Sequence, residues 1–321
     1  MADVAERAGV SAQTVSRVVN GSPRVDPSTR ARVEAAMTAL GYRMHRAART
    51  LRTGRSRTMG LVVSTLDSVG NSRMLQAIAE IAAADDYALT VATARGERDV
   101  VTAFERFRDE GVDGAIVLNE ATPLTRDAAV PAGMRLVAVD SAADDRFAIV
   151  QTDHAAGAAT ATRHLLDLGH DTVHHLAGPA GSFAAAERER GWRETLAGAQ
   201  FTVPPLVRGD WTSHSGHRAA AGLLAATAVF VANDQMALGV LRAFADAGRR
   251  VPEDVAVVGF DDIVDAAEFR PPLTTVRQDF DELAARAVAT LIALIEGEQP
   301  DPVVSLPPRL VMRESTRSLS R

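Results

Sequence analysis

Side chains that could read DNA bases lie close together near the start of the chain. A helix is predicted over Ala12–Asn20, and its valines would face inward: Val15, Val18 and Val19. Its polar side chains would lie toward the outside: Gln13, Thr14, Ser16 and Arg17. In the major groove, Gln13 could make paired hydrogen bonds to adenine and Arg17 to guanine. The segment therefore has the chemistry of a major-groove reading helix.

Two further helices are predicted around this segment. The first carries an apolar stripe formed by Val4, Ala5, Ala8 and Val10. Gly9 permits the turn that follows, and Ser11 is placed to cap the second helix. Asp26-Pro27 opens a third helix, whose predicted buried face consists of Val33, Ala36, Met37 and Leu40, and Gly41 ends it. The pattern predicts a helix-turn-helix head, and the alternative is a plain three-helix bundle with a solvated polar face.

The charge of the chain is divided between a basic head and an acidic body. Residues 1–58 carry 11 Arg against 4 acidic residues, whereas the rest carries 24 Arg against 37 acidic residues. This asymmetry indicates a module that binds a polyanion, joined to a body with a different role. Residues 45–52 are basic and helix-permissive but too short to be helical without support, and 53–57 resemble a linker. Leu51 could pack on the bundle or wedge between base steps in a minor groove.

From residue 58 onward, buried β-rich runs alternate with helical segments. Strands are predicted over 60–63, 88–91, 114–118 and 136–139, and then near 173–177, 228–232 and 255–259. Helices are predicted over 72–84 and 98–110, and then near 155–168, 184–197, 215–225 and 235–247. Two series of this kind predict an α/β body of two doubly wound parallel sheets with a cleft between them.

Polar side chains follow several of these strands, at the edge where parallel sheets bind ligands. They are Ser64, Asp140, Asn233, Asp234, Asp261 and Asp262. Each one by itself could simply cap a helix or form a turn, but their shared position favours a polar cleft. Arg188 adds a forked donor and Trp211 a flat apolar face. An aromatic face beside Asp, Asn and Arg is the chemistry of sugar recognition.

Several segments resemble the LacI/GalR family of repressors in order and spacing. They are residues 3–11 (DVAERAGVS), 14–21 (TVSRVVNG), 40–42 (LGY), 47–54, 231–239 (VANDQMALG), 251–255 (VPEDV) and 257–262 (VVGFDD). The resemblance covers nearly the whole chain. It implies a helix-turn-helix domain over 1–44, a hinge helix and linker over 45–57, and a two-lobed periplasmic-binding-protein-like core over 58–321. Within that core it implies an N-subdomain of about 58–150 and 279–305, and a C-subdomain of about 151–278 and 306–317.

The resemblance also implies roles for individual residues. Contacts to DNA would come from Ala12, Gln13, Thr14, Ser16, Arg17, Asn20, Arg46, Ala48 and Leu51. Bases would be read by Ala12, Gln13 and Arg17, and Leu51 would be the minor-groove wedge. Effector contacts would come from Ser64, Asp140, Arg188, Trp211, Asn233, Asp261 and Gln278, with Asn119 as a further candidate.

The function implied is that of a sequence-specific repressor whose operator affinity is controlled by a small molecule. Trp211 and the resemblance favour a galactoside-like inducer, and a purine or other corepressor is the alternative. Two heads on a two-fold axis would read a palindromic operator. The segment after Glu314 carries no apolar heptads, so we expect a dimer and not a tetramer. A free-standing solute-binding protein would need a signal peptide and no basic head; we expect a cytoplasmic protein without a membrane span.

Other function classes find little support in the sequence. The chain has no cysteine, which excludes disulfides, thiolate nucleophiles and iron–sulfur clusters. The loop Gly178–Gly181 follows a strand but matches no phosphate-binding motif, and no GxSxG elbow is present. The histidines at 164, 170, 174 and 175 are spread over a helix, a loop and a strand, so we expect no metal site. We expect neither an enzyme nor a cofactor.

Overall fold

The computed structural model describes residues 1–19, 22–42, 55–125 and 128–317. The chain separates into two compact units, residues 1–56 and 57–321. Within the described residues, no helix has the length and apolar character needed to cross a membrane.

The first unit is the three-helix head that the sequence predicts. Its helices are α1 (Ala2–Ala8), α2 (Ala12–Val19) and α3 (Pro27–Ala39). The Ser11 hydroxyl accepts a hydrogen bond from the Thr14 amide at 3.1 Å, which starts α2. The Asp26 carboxylate accepts from the amides of Ser28 and Thr29 at the start of α3. The predicted capping residues Ser11 and Asp26 therefore start α2 and α3.

A small apolar core holds the three helices together. Val15 and Val33 are fully buried at its centre, and Val4 and Ala36 are nearly so. Leu40 was predicted to share this buried face, but it is 41% exposed because α3 ends at Ala39 and Leu40 lies on its last turn. The predicted hinge helix, with Arg46, Ala48 and Leu51, lies outside the described residues, as does Asn20.

The second unit contains two sheets flanked by helices, as predicted, and each sheet has six strands. The first lobe consists of β1 (Thr58–Val63), α4 (Val69–Ala84), β2 (Ala88–Thr93), α5 (Glu97–Asp109), β3 (Gly114–Leu118), β4 (Arg135–Val139), β5 (Ala148–Thr152), α10 (Phe280–Glu296) and β11 (Val303–Leu306). Its strands are all parallel in the order β11-β5-β4-β3-β1-β2. Buried apolar clusters cover both faces of this sheet.

The second lobe repeats the plan with one reversed edge strand. It consists of α6 (His154–Asp167), β6 (His174–Ala177), α7 (Phe183–Gly198), β7 (Val207–Arg208), α8 (Ser213–Ala219), β8 (Ala228–Val231), α9 (Asp234–Asp246), β9 (Ala256–Asp261), β10 (Thr274–Arg277) and β12 (Arg309–Val311). The order is β12-β10-β9-β8-β6-β7, and only β12 is antiparallel to its neighbour. The predicted all-parallel sheet is therefore mixed at this edge.

The chain crosses between the lobes three times. The first crossing follows Thr152, two residues later than the expected division, because β5 continues through Gln151 and Thr152 to pair with β11. The second lies between β10 and α10, and the third between β11 and β12. These crossings place the ends of β4, β9 and β10 next to one another, and the candidate pocket is built there.

Candidate effector pocket and DNA-reading helix

The α2 helix presents a polar surface to solvent. Ala12, Gln13 and Arg17 are exposed, and Thr14 and Ser16 are half-buried. The Thr14 hydroxyl lies 2.9 Å from the Ser11 hydroxyl, so it belongs to the cap of the helix. Gln13 and Arg17 have the exposure that contact with base edges requires.

A pocket lies between the two lobes of the second unit. It encloses about 510 Å³ of space not filled by protein atoms, part of which is open to solvent. Most of the predicted effector residues line it: Asp140, Arg188, Trp211, Asn233, Asp261, Gln278 and Asn119. The remaining lining residues are Ser68, Gly70, Asn71, Met74, Glu120, Ala184, Gln235, Phe280 and Leu283.

Ser64 is not part of this lining. It follows β1 directly and is half-buried, and the first lobe instead reaches the pocket through the start of α4, at Ser68, Gly70 and Asn71. Ser64 therefore corrects the simple rule that every polar residue at a strand end reaches the cleft.

Arg188 is the buried cation of the pocket, with only 4% of its surface exposed. Its guanidinium donates to the Ala232 carbonyl and to His154 Nδ1, the latter at 3.3 Å. It also lies 3.5 Å from Asp261 and stacks 3.8 Å from the ring centre of Phe260. Burial lowers the pKa of Arg188, and the nearby carboxylates of Asp261 and Asp140 oppose that shift. The guanidinium is thus fixed in position before any ligand arrives.

Asp140 connects this cation to the first lobe. It is 5% exposed, and its Oδ1 lies 2.9 Å from His154 Nε2 and accepts from the Thr152 amide at 3.0 Å. His154 Nδ1 in turn accepts from Arg188. Asp140, His154 and Arg188 therefore form a polar chain that runs from the end of β4 across the first crossing to α7.

Asp261 and Gln278 form the opposite wall of the pocket. Gln278 Nε2 donates to Asp261 Oδ1 at 2.6 Å. Burial raises the pKa of Asp261, and the Arg188 charge and the Gln278 hydrogen bond act in the opposite direction. Gln278 is 7% exposed, and its Oε1 has no hydrogen-bond partner among the described residues. This oxygen is a buried acceptor without a partner on a residue that lines the pocket.

Asn233 shapes the pocket by holding its neighbours. Its Oδ1 accepts from the Met236 amide at 2.9 Å and caps α9, while its Nδ2 donates to the Trp211 carbonyl at 3.1 Å. The adjacent Asp234 is fully buried, accepts from Thr275 Oγ1 and the Ile263 amide, and does not line the pocket. Burial raises the pKa of Asp234 well above its ordinary value.

Trp211 is placed by strained backbone and close packing. Its φ of 74° is in the left-handed region, and its ring packs on Gly178, where a Cβ would lie 2.3 Å from the indole. The indole Nε1 donates to Glu120 Oε1 at 3.1 Å. Because Glu120 follows β3 and Trp211 follows β7, this hydrogen bond joins the two lobes across the pocket.

A second hydrogen bond joins the lobes beside the first. The Val69 amide at the start of α4 donates to Gln235 Oε1 of the other lobe at 3.0 Å. On the first lobe, Asn119 Nδ2 donates to the Oδ1 of buried Asn71 at 2.5 Å, and Asn119 Oδ1 is a second buried acceptor without a partner among the described residues. Glu120, Gln235 and Asn71 were missed from the sequence; the one available signal was the position of Glu120 directly after Asn119.

Comparison with known proteins agrees with this geometry. The family signature described as "Bacterial regulatory proteins, lacI family" matches residues 1–44, and that of a "Periplasmic binding protein-like domain" matches residues 162–316. The lactose operon repressor of Escherichia coli strain K12 is 36% identical over 98% of this chain and 89% of its own length. The chain belongs to the lacI family of bacterial regulatory proteins.

Two solved structures of transcriptional regulators are similar to this chain in fold. A lac repressor dimer bound to operator and the anti-inducer ONPF has a TM-score of 0.87 and 34% identity, with 98% of each chain covered. The regulator CelR in complex with cellobiose has a TM-score of 0.73 and 32% identity, again with 98% of each chain covered. This lacI-family chain is accordingly a DNA-binding transcriptional repressor regulated by a small molecule, and its relatives are regulators, not enzymes.

Proposed function

We propose that this chain is a homodimeric repressor that binds a palindromic operator and is released by a galactoside-like sugar bound between its lobes. The observation that carries the proposal is the convergence of Asp140, Arg188, Trp211 and Asp261 on one pocket at the boundary between two lobes. Relatives of the same fold are known bound to operator DNA and to cellobiose, which supports both halves of the proposal.

In this proposal the α2 helix reads the operator. Gln13 and Arg17 hydrogen-bond base edges, Ala12 packs on a base, and Thr14, Ser16 and Asn20 hold the phosphates or the helix frame. Residues 45–52, which include Arg46 and Ala48, form a helix when two chains meet on DNA. Leu51 then inserts between base pairs in the minor groove at the centre of the site. Coupling of folding to binding makes this connector sensitive to the distance between the two chains.

The sugar binds through groups that the protein already holds in place. Its apolar face stacks on Trp211, and its hydroxyls bridge Asp140, Arg188, Asn233, Asp261 and Gln278. Since these residues come from both lobes, the ligand stabilises the lobe arrangement that fits it best. It changes operator affinity only as far as its affinities for the bound and released arrangements differ.

The test is selection of duplexes from a random pool, followed by titration of the selected complex with sugars and purines. We expect a palindromic site with two half-sites, and release of the protein by a sugar. Tighter operator binding in the presence of a purine would instead favour a corepressor. Absence of any preference for a palindrome over random DNA, with and without these ligands, would contradict the proposal.

A further inference from the structure

The pocket carries more negative charge than its own cation balances. Three carboxylates line it, at Glu120, Asp140 and Asp261, against the single guanidinium of Arg188. Arg188 is committed to Asp261, to the Ala232 carbonyl and to His154. A ligand that enters this pocket therefore meets unbalanced negative charge.

Glu120 is the pocket carboxylate with the fewest partners among the described residues. Asp261 has the Arg188 guanidinium at 3.5 Å, and Asp140 has His154 Nε2 at 2.9 Å and the Thr152 amide at 3.0 Å. In the part of the chain that the structure describes, the partner of Glu120 is the neutral indole N–H of Trp211, and no cationic side chain lies within ion-pair distance. A half-buried carboxylate with one neutral donor retains most of its capacity to accept hydrogen bonds.

Two unpartnered oxygens occur in the same lining. One is Gln278 Oε1, and Gln278 is only 7% exposed. The other is Oδ1 of Asn119, the residue that precedes Glu120 in the chain. Buried polar atoms are normally hydrogen-bonded, so an unpartnered acceptor on a residue that lines a pocket indicates a ligand donor. Acceptors of this kind, together with a carboxylate whose one side-chain partner is neutral, match a ligand group with several N–H donors and a positive charge.

We propose that the effector is an amino sugar, a hydroxylated ring that carries an ammonium group, and that Glu120 is the counter-ion of this group. This rests on the proposed function and specifies the ligand class of the same pocket. An ammonium offers three donors and one charge, which would satisfy the Glu120 carboxylate and a neighbouring amide oxygen together. A phosphorylated or acidic sugar would be repelled by the same carboxylates.

The test uses pairs of sugars that differ only in an amino group, such as galactose with galactosamine and glucose with glucosamine. Binding is followed by Trp211 fluorescence in a Trp192→Phe background, because Trp192 is fully buried in the second lobe and would contribute a constant signal. For at least one pair, we expect the amino sugar to bind about tenfold or more tightly than its neutral partner. N-acetylation of the amine, which removes the charge, should abolish this preference.

Two variants assign the preference to one side chain. Glu120→Gln keeps an acceptor for the Trp211 indole but removes the charge, and it should bind both members of the pair equally. Glu105→Gln removes a charge from an exposed position of α5 and should keep the full preference. Equal or tighter binding of the neutral sugars by the unaltered protein, or failure of every amino sugar to bind, would overturn the inference. Operator selection is measured separately, so the regulator itself would stand in either case.

Discussion

The reading helix and the effector pocket place their functional residues in opposite surroundings. On α2, Gln13 and Arg17 are exposed, and Val15 and Val18 of the same helix are buried in the core of the head. In the pocket, Arg188, Asp140 and Asp261 are less than one-tenth exposed, Arg188 lies 3.5 Å from Asp261, and Asp140 lies 2.9 Å from His154. An exposed residue can change without disturbing the fold, whereas each buried one is also part of the structure. Substitutions on α2 should therefore change recognition without changing stability, whereas substitutions in the pocket should change both.

The largest effect is expected from Asp261→Ala. Removal of this carboxylate leaves the buried Arg188 charge without its acidic partner and Gln278 Nε2 without its acceptor. The second unit should lose about 3–5 kcal/mol of unfolding free energy, and the sugar response should disappear while operator binding persists. Urea denaturation and operator titration with effector measure both; Asp261→Asn is the matched control that keeps an acceptor. An unchanged sugar response would contradict the pocket assignment.

The free energy of unfolding of the second unit should depend on pH through the buried His175. Burial lowers the pKa of His175 from 6.5 to about 4, where its ring stacks on Phe230 at 4.6 Å. As the pH falls below 6.5 the unfolded chain takes up this proton first, so the free energy of unfolding should decrease by about 3 kcal/mol by pH 4. His175→Asn, which retains a donor for the Phe230 carbonyl, should lose this part of the dependence. Parallel pH profiles of the free energy of unfolding for the unaltered protein and for His175→Asn would contradict this prediction.

An effect of intermediate size on operator affinity is expected at Leu51, the proposed minor-groove wedge. Leu51→Ala should weaken operator binding by about 1–3 kcal/mol, because the central base step would no longer be filled. Binding to unrelated DNA depends on phosphate contacts and should hardly change. Anisotropy titrations of both duplexes at one salt concentration measure the difference. Equal losses on the two duplexes would show that Leu51 packs on the head instead.

Arg17→Ala tests base recognition separately from the stability of the protein. It should cost about 1–3 kcal/mol at a single base pair of each half-site and relax the preference there. Because Arg17 is exposed, the melting temperature of the protein should not move. Repeated duplex selection with the variant is the measurement, and a uniform loss over all positions would reassign Arg17 to phosphate contact.

The smallest effect is expected at the cap of the reading helix. Ser11→Ala removes the acceptor for the Thr14 amide and should destabilise the head by about 1 kcal/mol. The second unit should be unaffected, since it folds on its own core. Hydrogen exchange measured separately over α2 and β9 would reveal this difference; equal deprotection of both would mean that the two units unfold together.

Local signals were sufficient where a residue's role depends on its own segment. Capping by Ser11 and Asp26, and the strand-end positions of Asp140 and Asp261, followed from nearby sequence. The seventeen-residue helix α10 and the short strands β10 and β12 were among the elements not predicted. β10 and β12 are four and three residues long, which is too short for a clear periodicity.

The pocket was predicted only in part, because its two lobes meet through tertiary packing. Glu120 lies on a 3₁₀ turn and Gln235 on the first turn of α9, and neither is marked by its local sequence. Each becomes informative only when the opposite lobe supplies Trp211 or Val69. Ser64 shows the converse, since it follows a strand as the local rule requires but does not line the pocket.

The claim that one pocket controls one operator is tested most directly by reciprocity. Effector affinity is measured for the free protein and for the protein saturated with its operator, alongside operator affinity with and without effector. Linkage requires both ratios to be equal, and typical allosteric coupling predicts a factor of about 5–150. The account predicts that operator weakens effector binding by the same factor by which effector weakens operator binding. An effector affinity that is unchanged by saturating operator would contradict it.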